Sequence, residues 1–154
     1  MVLLNAPSGY GKSVLLGQWA ERDSRRFESV ILGDAHNDPV MRVPSIVDAL
    51  ERIEPVPADV SAALAGSEPN IEDVVLPRMG RALAERKVPF VLILDDLEQI
   101  ESPQSLLVVA TIGTQLVRGS QVALATRTEP ALPIGRLRAH RGLTELGRAD
   151  LVMT

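Results

Sequence analysis

Two glycines one residue apart, followed at once by a lysine and a serine, are residue types that can hold an anion: Gly9-Tyr10-Gly11-Lys12-Ser13. Glycine permits backbone angles that turn several N–H groups toward one charged group. Lys12 supplies a compact positive charge suited to the β- and γ-phosphates of a nucleotide, and the Ser13 hydroxyl is placed to bind Mg²⁺. The longer stretch Ala6-Pro7-Ser8-Gly9-Tyr10-Gly11-Lys12-Ser13 fits the phosphate-loop pattern G-x-x-x-x-G-K-[ST], with Ala standing in the first Gly position. A helix starting at Lys12 would add the positive end of its dipole to the same place. Ser8, Gly9, Tyr10, Gly11, Lys12, Ser13 and Val14 are therefore the expected nucleotide-binding residues.

A second set of chemistry-bearing residues closes an apolar run, Val91-Leu92-Ile93-Leu94-Asp95-Asp96. Adjacent carboxylates at the end of a buried strand suffer desolvation and mutual repulsion unless a cation lies nearby. Opposite a phosphate loop that cation is Mg²⁺, held by Asp95 together with Ser13, and Asp96 is the better group to orient or deprotonate an attacking water. The competing reading of an Asp-Asp strand end is a turn or a helix cap. A third set is Ala125-Thr126-Arg127-Thr128. It ends another apolar run, and ligands of open α/β sheets sit beyond the carboxyl ends of strands. Arg127 there could touch a γ-phosphate, or it could be a surface arginine paired with Glu129. The expected catalytic set is Lys12, Asp96 and Arg127.

Other polar residues read more plainly. Asn37-Asp38-Pro39 has turn chemistry. His36 and His140 have no partners at ligand spacing. Arg136, Arg138 and Arg141 suit a solvated helix face. Trp19 is most simply core packing.

The elements that must position these residues follow from apolar periodicity. Val2 to Leu4 reads as a buried strand running into the loop, and Lys12 to Arg22 as a helix with Val14, Leu15, Leu16 and Trp19 on its apolar face. Ser29 to Leu32 reads as a strand and Pro44 to Ile53 as a helix, with Pro44 in its first turn. Glu54 to Asn70 is the least regular stretch, with one short helix near Val60 to Leu64. Ile71, Val74, Val75, Met79 and Leu83 recur at helical spacing, and Pro77 predicts a kink or restart. Val88 to Leu94 is an uninterrupted apolar strand. Leu106, Val109, Ala110 and Leu116 mark a helix closed by Gly119, and Gln121 to Thr126 is a strand. A basic helical stretch over Ile134 to Arg141 and a weak strand at Leu143 to Leu146 follow. Strands alternating with helices predict a parallel sheet covered on both faces, an α/β fold.

The 154 residues suffice for one domain, with 45% hydrophobic and 23% charged residues in a globular balance. Aromatic residues make up only 3%, so Leu, Val, Ile and Ala must build the core. A net charge of −4 offers no field for a phosphate backbone, which argues against direct DNA binding. No cysteine is present, so thiolate chemistry is excluded. The first residues do not read as a signal peptide, and the longest apolar run is far short of a membrane span, so a cytoplasmic location is expected.

In order along the chain, Ala6 to Ser13, Gln18-Trp19, Asn37-Asp38-Pro39, Leu92 to Asp96, Thr126-Arg127-Thr128-Glu129-Pro130, Leu132-Pro133, Arg136-Leu137-Arg138 and Asp150-Leu151 together resemble one family. It is the signal-transduction ATPases with numerous domains, nearest the maltose-regulon-activator branch and the large ATP-binding LuxR-type transcriptional regulators. The resemblance covers nearly the whole chain. It implies a P-loop NTPase of the ASCE type with a five-stranded parallel sheet of order 5-1-4-3-2. It also implies ATP and Mg²⁺ as cofactors, slow hydrolysis that resets a switch, and a sensor role for Arg127. Family members carry Thr more often where this chain has Ser13, and the hydroxyl is kept.

Such regulators also carry flanking winged-helix, repeat and DNA-binding segments, and the sequence reads as the core alone, a fragment of a larger regulator. Self-association, or packing against those further domains, is the expected interaction besides ATP and ADP. The expected activity is a slow Mg²⁺-dependent ATPase. A small P-loop kinase and a non-hydrolysing nucleotide-binding interaction module are the alternatives.

Overall fold

The computed structural model describes residues 1–7, 11–32, 39–65, 69–99, 103–116, 119–128 and 144–147. Its strands are β1 (Val2–Asn5), β2 (Arg26–Ile31), β3 (Phe90–Asp95), β4 (Gln121–Thr126) and β5 (Thr144–Gly147). They form one sheet in the order β2-β3-β4-β1-β5, which from the β5 edge reads 5-1-4-3-2. Every neighbouring pair is parallel. The register sets Asn5 beside Thr126, Leu94 beside Leu124, and Ile31 beside Asp95. The carboxyl ends of β1, β4 and β3 therefore finish level, and the segments leaving them emerge side by side.

Strand alternation divides the core in two. Leu3, Val30, Phe90, Leu92, Leu94, Val122 and Leu124 face one side. Leu4, Val91, Ile93, Ala123 and Ala125 face the other. The first side is covered by α2 (Pro39–Glu51), α3 (Ala58–Leu64), α4 (Leu76–Ala84) and α5 (Pro103–Thr114), through residues such as Ile46, Leu50, Val60, Met79, Leu83, Val109 and Ile112. The second side is covered by α1 (Lys12–Arg22), which brings Leu15, Leu16 and Trp19. Side chains such as Leu92 and Leu124 are wholly buried, each contributing about 1.5–3 kcal/mol of transfer free energy. The runs that read as uninterrupted strands do so because both their faces are covered.

Several boundaries differ from the sequence expectation. The helix expected from Pro44 begins at Pro39, so Pro44 lies inside α2 rather than in its first turn. A proline there forgoes one helix hydrogen bond, but Val43, Ile46, Val47, Ala49 and Leu50 are buried around it, and that packing outweighs the break. The restart expected at Pro77 is present in a specific form. A π-helical turn, Ile71–Val75, is capped by the Asn70 side chain and passes into α4 at Leu76, with Pro77 in the first turn of α4.

β3 begins at Phe90 rather than Val88. Val88 is exposed, and the Glu54 carboxylate takes up the Lys87 and Val88 amides at 3.1 and 3.0 Å. β2 begins at Arg26 rather than Ser29, its polar residues lying on the sheet edge. α5 ends at Thr114, so Gly119 does not close it; with φ 98° it shapes the turn into β4 instead. β5 is shifted by one residue from the expected Leu143 to Leu146. The basic stretch at 134–141, both histidines, Asn37 and Asp38 lie outside the described residues.

Candidate functional site

The level strand ends build one cleft. Gly11, Lys12, Ser13, Val14, Asp95, Asp96 and Arg127 line it, around a volume of about 410 Å³. Three segments widely separated in sequence, each singled out by residue type, thus meet at the carboxyl edge of the sheet. Ser8, Gly9 and Tyr10, expected in the same loop, lie outside the described residues.

The loop leaves β1 at Ala6, whose N–H donates to Thr126 O at 3.1 Å and extends the β1–β4 ladder by one residue. Ala6 is 1% exposed and does not have a positive φ. A methyl group fits there, and the freedom of glycine is not needed, which accounts for the departure from the usual first Gly. Gly11 is different. Its φ of 82° is left-handed, and a Cβ added to it would meet nothing within 4 Å, so its requirement is one of backbone angle rather than space. Gly11 O accepts the Leu15 amide at 2.9 Å and so opens α1. Among the described residues no side chain caps this helix start, and no acidic residue stands in its first turn. By helix geometry the amides of Lys12, Ser13 and Val14 point outward, at the positive end of the dipole. The Lys12 ammonium folds back, donating to Ala6 O and, at 3.3 Å, to Pro7 O. The lysine is held over the loop it would share with a phosphate.

On the facing side, Leu32 N–H donates to Asp95 O at 2.9 Å, which holds the end of β3 against the chain leaving β2. The next residue turns sharply. Asp96 has φ 58°, the one non-glycine residue with positive φ among the described residues. Asp tolerates this region better than most side chains, but it still carries strain. The Asp96 amide donates to Asp95 Oδ1 at 2.8 Å, fixing that carboxylate, and Asp96 O accepts the Gln99 amide at 3.0 Å, opening the 3₁₀ turn Leu97–Gln99. Leu97, 1% exposed, anchors the turn in the core. Both carboxylates remain half-buried at the cleft.

Arg127 follows β4. Its Nε lies 3.2 Å from Glu98 Oε1 on that 3₁₀ turn. The pairing with Glu129 considered from sequence falls on a residue outside the described set. Sequence reasoning missed Glu98: nothing in Asp95-Asp96-Leu97-Glu98 tells which acidic side chain turns inward, because the left-handed residue at 96 reorients everything after it.

The far end of α1 is pinned. Trp19 is half-buried and meets Phe27 edge-on at 5.4 Å, and its Nε1 donates to Asp23 Oδ2 at 3.0 Å. Arg25 donates to both oxygens of Asp23, and also to Gly119 O and Gln121 Oε1 at 3.1 Å each, with its guanidinium over the Trp19 ring. Hydrogen bonds from Arg25 hold the Asp23 carboxyl well below the usual carboxylate range, and Asp23 in turn raises Arg25.

The donor set fits a nucleotide with a divalent cation. Lys12, Arg127 and the start of α1 are positive, whereas Asp95 and Asp96 would repel a polyphosphate unless a cation lay between them. Two carboxylates and a hydroxyl, with room for water, are the hard oxygen donors Mg²⁺ takes.

No protein-family model matches the chain. Over 158 aligned positions, taking in 98% of the chain, it is 25% identical to serine/threonine-protein kinase PknK of Mycobacterium tuberculosis. The PknK of Mycobacterium bovis matches equally, and the chain spans 14% of the length of these relatives. Among solved structures it is similar to Cdc6p from Pyrobaculum aerophilum, with a TM-score of 0.52, 17% identity, and coverage of 94% of this chain and 38% of that one. The Aeropyrum pernix Orc1 protein, solved in complex with DNA, gives 0.51 and 17% over 95% of this chain and 38% of that one. A chain of the Drosophila ORC structure, bound to AT-rich DNA and Cdc6, gives 0.53 and 13% over 96% and 47%. These likenesses are of fold alone: an α/β domain with a parallel sheet.

Proposed function

We propose that the chain is the ATP-binding, slowly hydrolysing switch core of a larger LuxR-type regulator of the signal-transduction ATPase kind. The observation that carries the nucleotide part is the convergence of Gly11 to Val14, Asp95, Asp96 and Arg127 on one cleft. The regulator subtype rests on the ordered motifs of the sequence. In this reading Ser8 to Val14 wrap the phosphates, Lys12 meets the β- and γ-phosphates, and Ser13 with Asp95 would hold Mg²⁺. That ion, when bound, supplies neutralisation of phosphate charge. Asp96 takes a proton from a water as its oxygen bonds to the γ-phosphorus and the bond to the β–γ bridging oxygen breaks, leaving ADP and phosphate. Arg127 contacts the γ-phosphate and distinguishes ATP from ADP.

The name of the mycobacterial relatives raises protein phosphorylation as a second reading. The chain carries a Walker-type loop and lacks the His-Arg-Asp and Asp-Phe-Gly signatures that organise a protein-kinase site, which favours hydrolysis. One assay with γ-labelled Mg·ATP separates the readings. The expected result is slow release of free phosphate. Label on a protein acceptor would establish a kinase, ATP retained intact would establish a non-hydrolysing binding module, and failure to bind ATP would overturn the site.

A further inference from the structure

Glu98 lies just behind the cleft and is not used by the reading above. Both its carboxylate oxygens are shut off from solvent and make no hydrogen bond among the described residues. Oε1 lies 3.2 Å from Arg127 Nε, an ion-pair distance without hydrogen-bond alignment. The two side chains differ sharply in exposure, 13% for Glu98 and 55% for Arg127. A carboxylate removed from water needs a compensating charge close by, and the guanidinium supplies it. The contact runs through Nε, on the inner side of a planar fork whose other donors, Nη1 and Nη2, lie beyond it.

We infer that Glu98 is the positioning residue for Arg127, gripping the guanidinium by its Nε edge so that the Nη edge is turned to the γ-phosphate. The inference rests on the nucleotide reading of the cleft. It gives the 3₁₀ turn a second task. The turn that begins at Asp96 also carries the anchor for the arginine of the neighbouring strand, so the two groups facing the γ-phosphate are set by one short segment. A free arginine at this exposure would sample many rotamers, and ordering it on nucleotide binding would cost entropy. Glu98 removes part of that cost before the nucleotide arrives.

The test is a double-mutant cycle on Glu98→Gln and Arg127→Ala, read in two ways. Calorimetry with a non-hydrolysable ATP analogue and with ADP, both with Mg²⁺, gives the analogue-to-ADP affinity ratio. The ratio should fall about tenfold in Arg127→Ala, the scale of one charge-assisted hydrogen bond. Glu98→Gln should lower it in the same direction with ADP affinity retained, and should change nothing further in the Arg127→Ala background. Thermal melting without nucleotide is the second readout. Arg127→Ala should lower the midpoint by stranding a buried carboxylate, and adding Glu98→Gln should restore it. A wild-type ratio in Glu98→Gln, equal effects in both backgrounds, or no restoration of the midpoint would each overturn the inference. If the wild type binds neither nucleotide, the reading of the cleft falls and the positioning role with it, while the melting cycle still reports whether the ion pair exists.

Discussion

The two ends of α1 are built on opposite rules. At its carboxyl end the backbone and side chains are tied: the Asp23 amide donates to Trp19 O at 3.0 Å, Arg22 stands in the last turn, and Trp19, Asp23 and Arg25 lock together. Arg25 then reaches across to Gly119 and Gln121 at the entry of β4. At its amino end no described side chain caps it, no acidic residue stands in its first turn, and the helix opens from a left-handed glycine. A helix end left without partners is normally a defect. Here it belongs to a helix whose other end is fastened at the amino-terminal end of the strands, so the donors at its open end are held in place while no described side chain caps them. That is what an anion site requires: fixed donors that lack partners until the ligand comes.

If the open end is the working end, side-chain changes at Lys12 and at the facing Asp96 should spare the fold, only the left-handed backbone of Gly11 being a fold requirement there, and those at the tied end should spare the ligand. Asp96→Asn should give the largest effect, slowing hydrolysis by about a hundredfold or more, the range for loss of a general base. Asn also tolerates the left-handed backbone, so nucleotide affinity and melting should be unchanged. Phosphate release at the wild-type rate would show that the proton goes elsewhere. Lys12→Ala should cost about 1.5–3 kcal/mol of Mg·ATP binding, measured by calorimetry, with little change in melting. Equal affinity would remove the lysine from the site.

Gly11→Ala should cost about 1–2 kcal/mol, because a Cβ is strained at that φ although space is free. Denaturant unfolding reads this directly, and an unchanged midpoint would mean the loop relaxes. The smallest effect belongs to the tied end and fades in acid. The folded Asp23 carboxyl titrates below its ordinary value of 3.8, so its contribution is full well above that value, begins to fall there, and is lost as pH drops through the lower folded-state value. Unfolding midpoints of the wild type and Asp23→Asn should therefore differ at neutral pH and draw together progressively as pH is lowered below 3.8, with Mg·ATP affinity alike at neutral pH. A gap that persists in acid would mean the carboxylate charge is not what holds the clamp.

What the sequence disclosed of these ends follows from how local each signal is. That Gly11-Lys12-Ser13 and Asp95-Asp96 stand at strand ends lining one cleft was legible because each set is contiguous and an apolar run announces each strand. Gly119 misled because a glycine past a helix looks alike whether it caps that helix or turns the chain into the next strand. Pro44 misled in the same way: a proline suits a first turn, yet here the buried residues around it carry the helix through. The Arg25–Asp23–Trp19 lock was illegible because its anchors, Gly119 and Gln121, are almost a hundred residues away. The Arg127–Glu98 pair was illegible because a single left-handed residue decides which way Glu98 faces.

The side of the sheet under α1 carries Ala123 and Ala125 in the central strand, whereas the opposite side carries Val122 and Leu124. Those two methyl groups act as a shim. They set how closely Leu16 and the helix behind the phosphate loop can lie on the strands, and so how wide the gap is between Ser13 and the carboxylates of Asp95 and Asp96. A bulkier residue at Ala125, which touches no ligand group, would lift the helix and open that gap with every chemical group still present. The spacing of the site is thus calibrated from beneath, by residues whose contribution is their smallness.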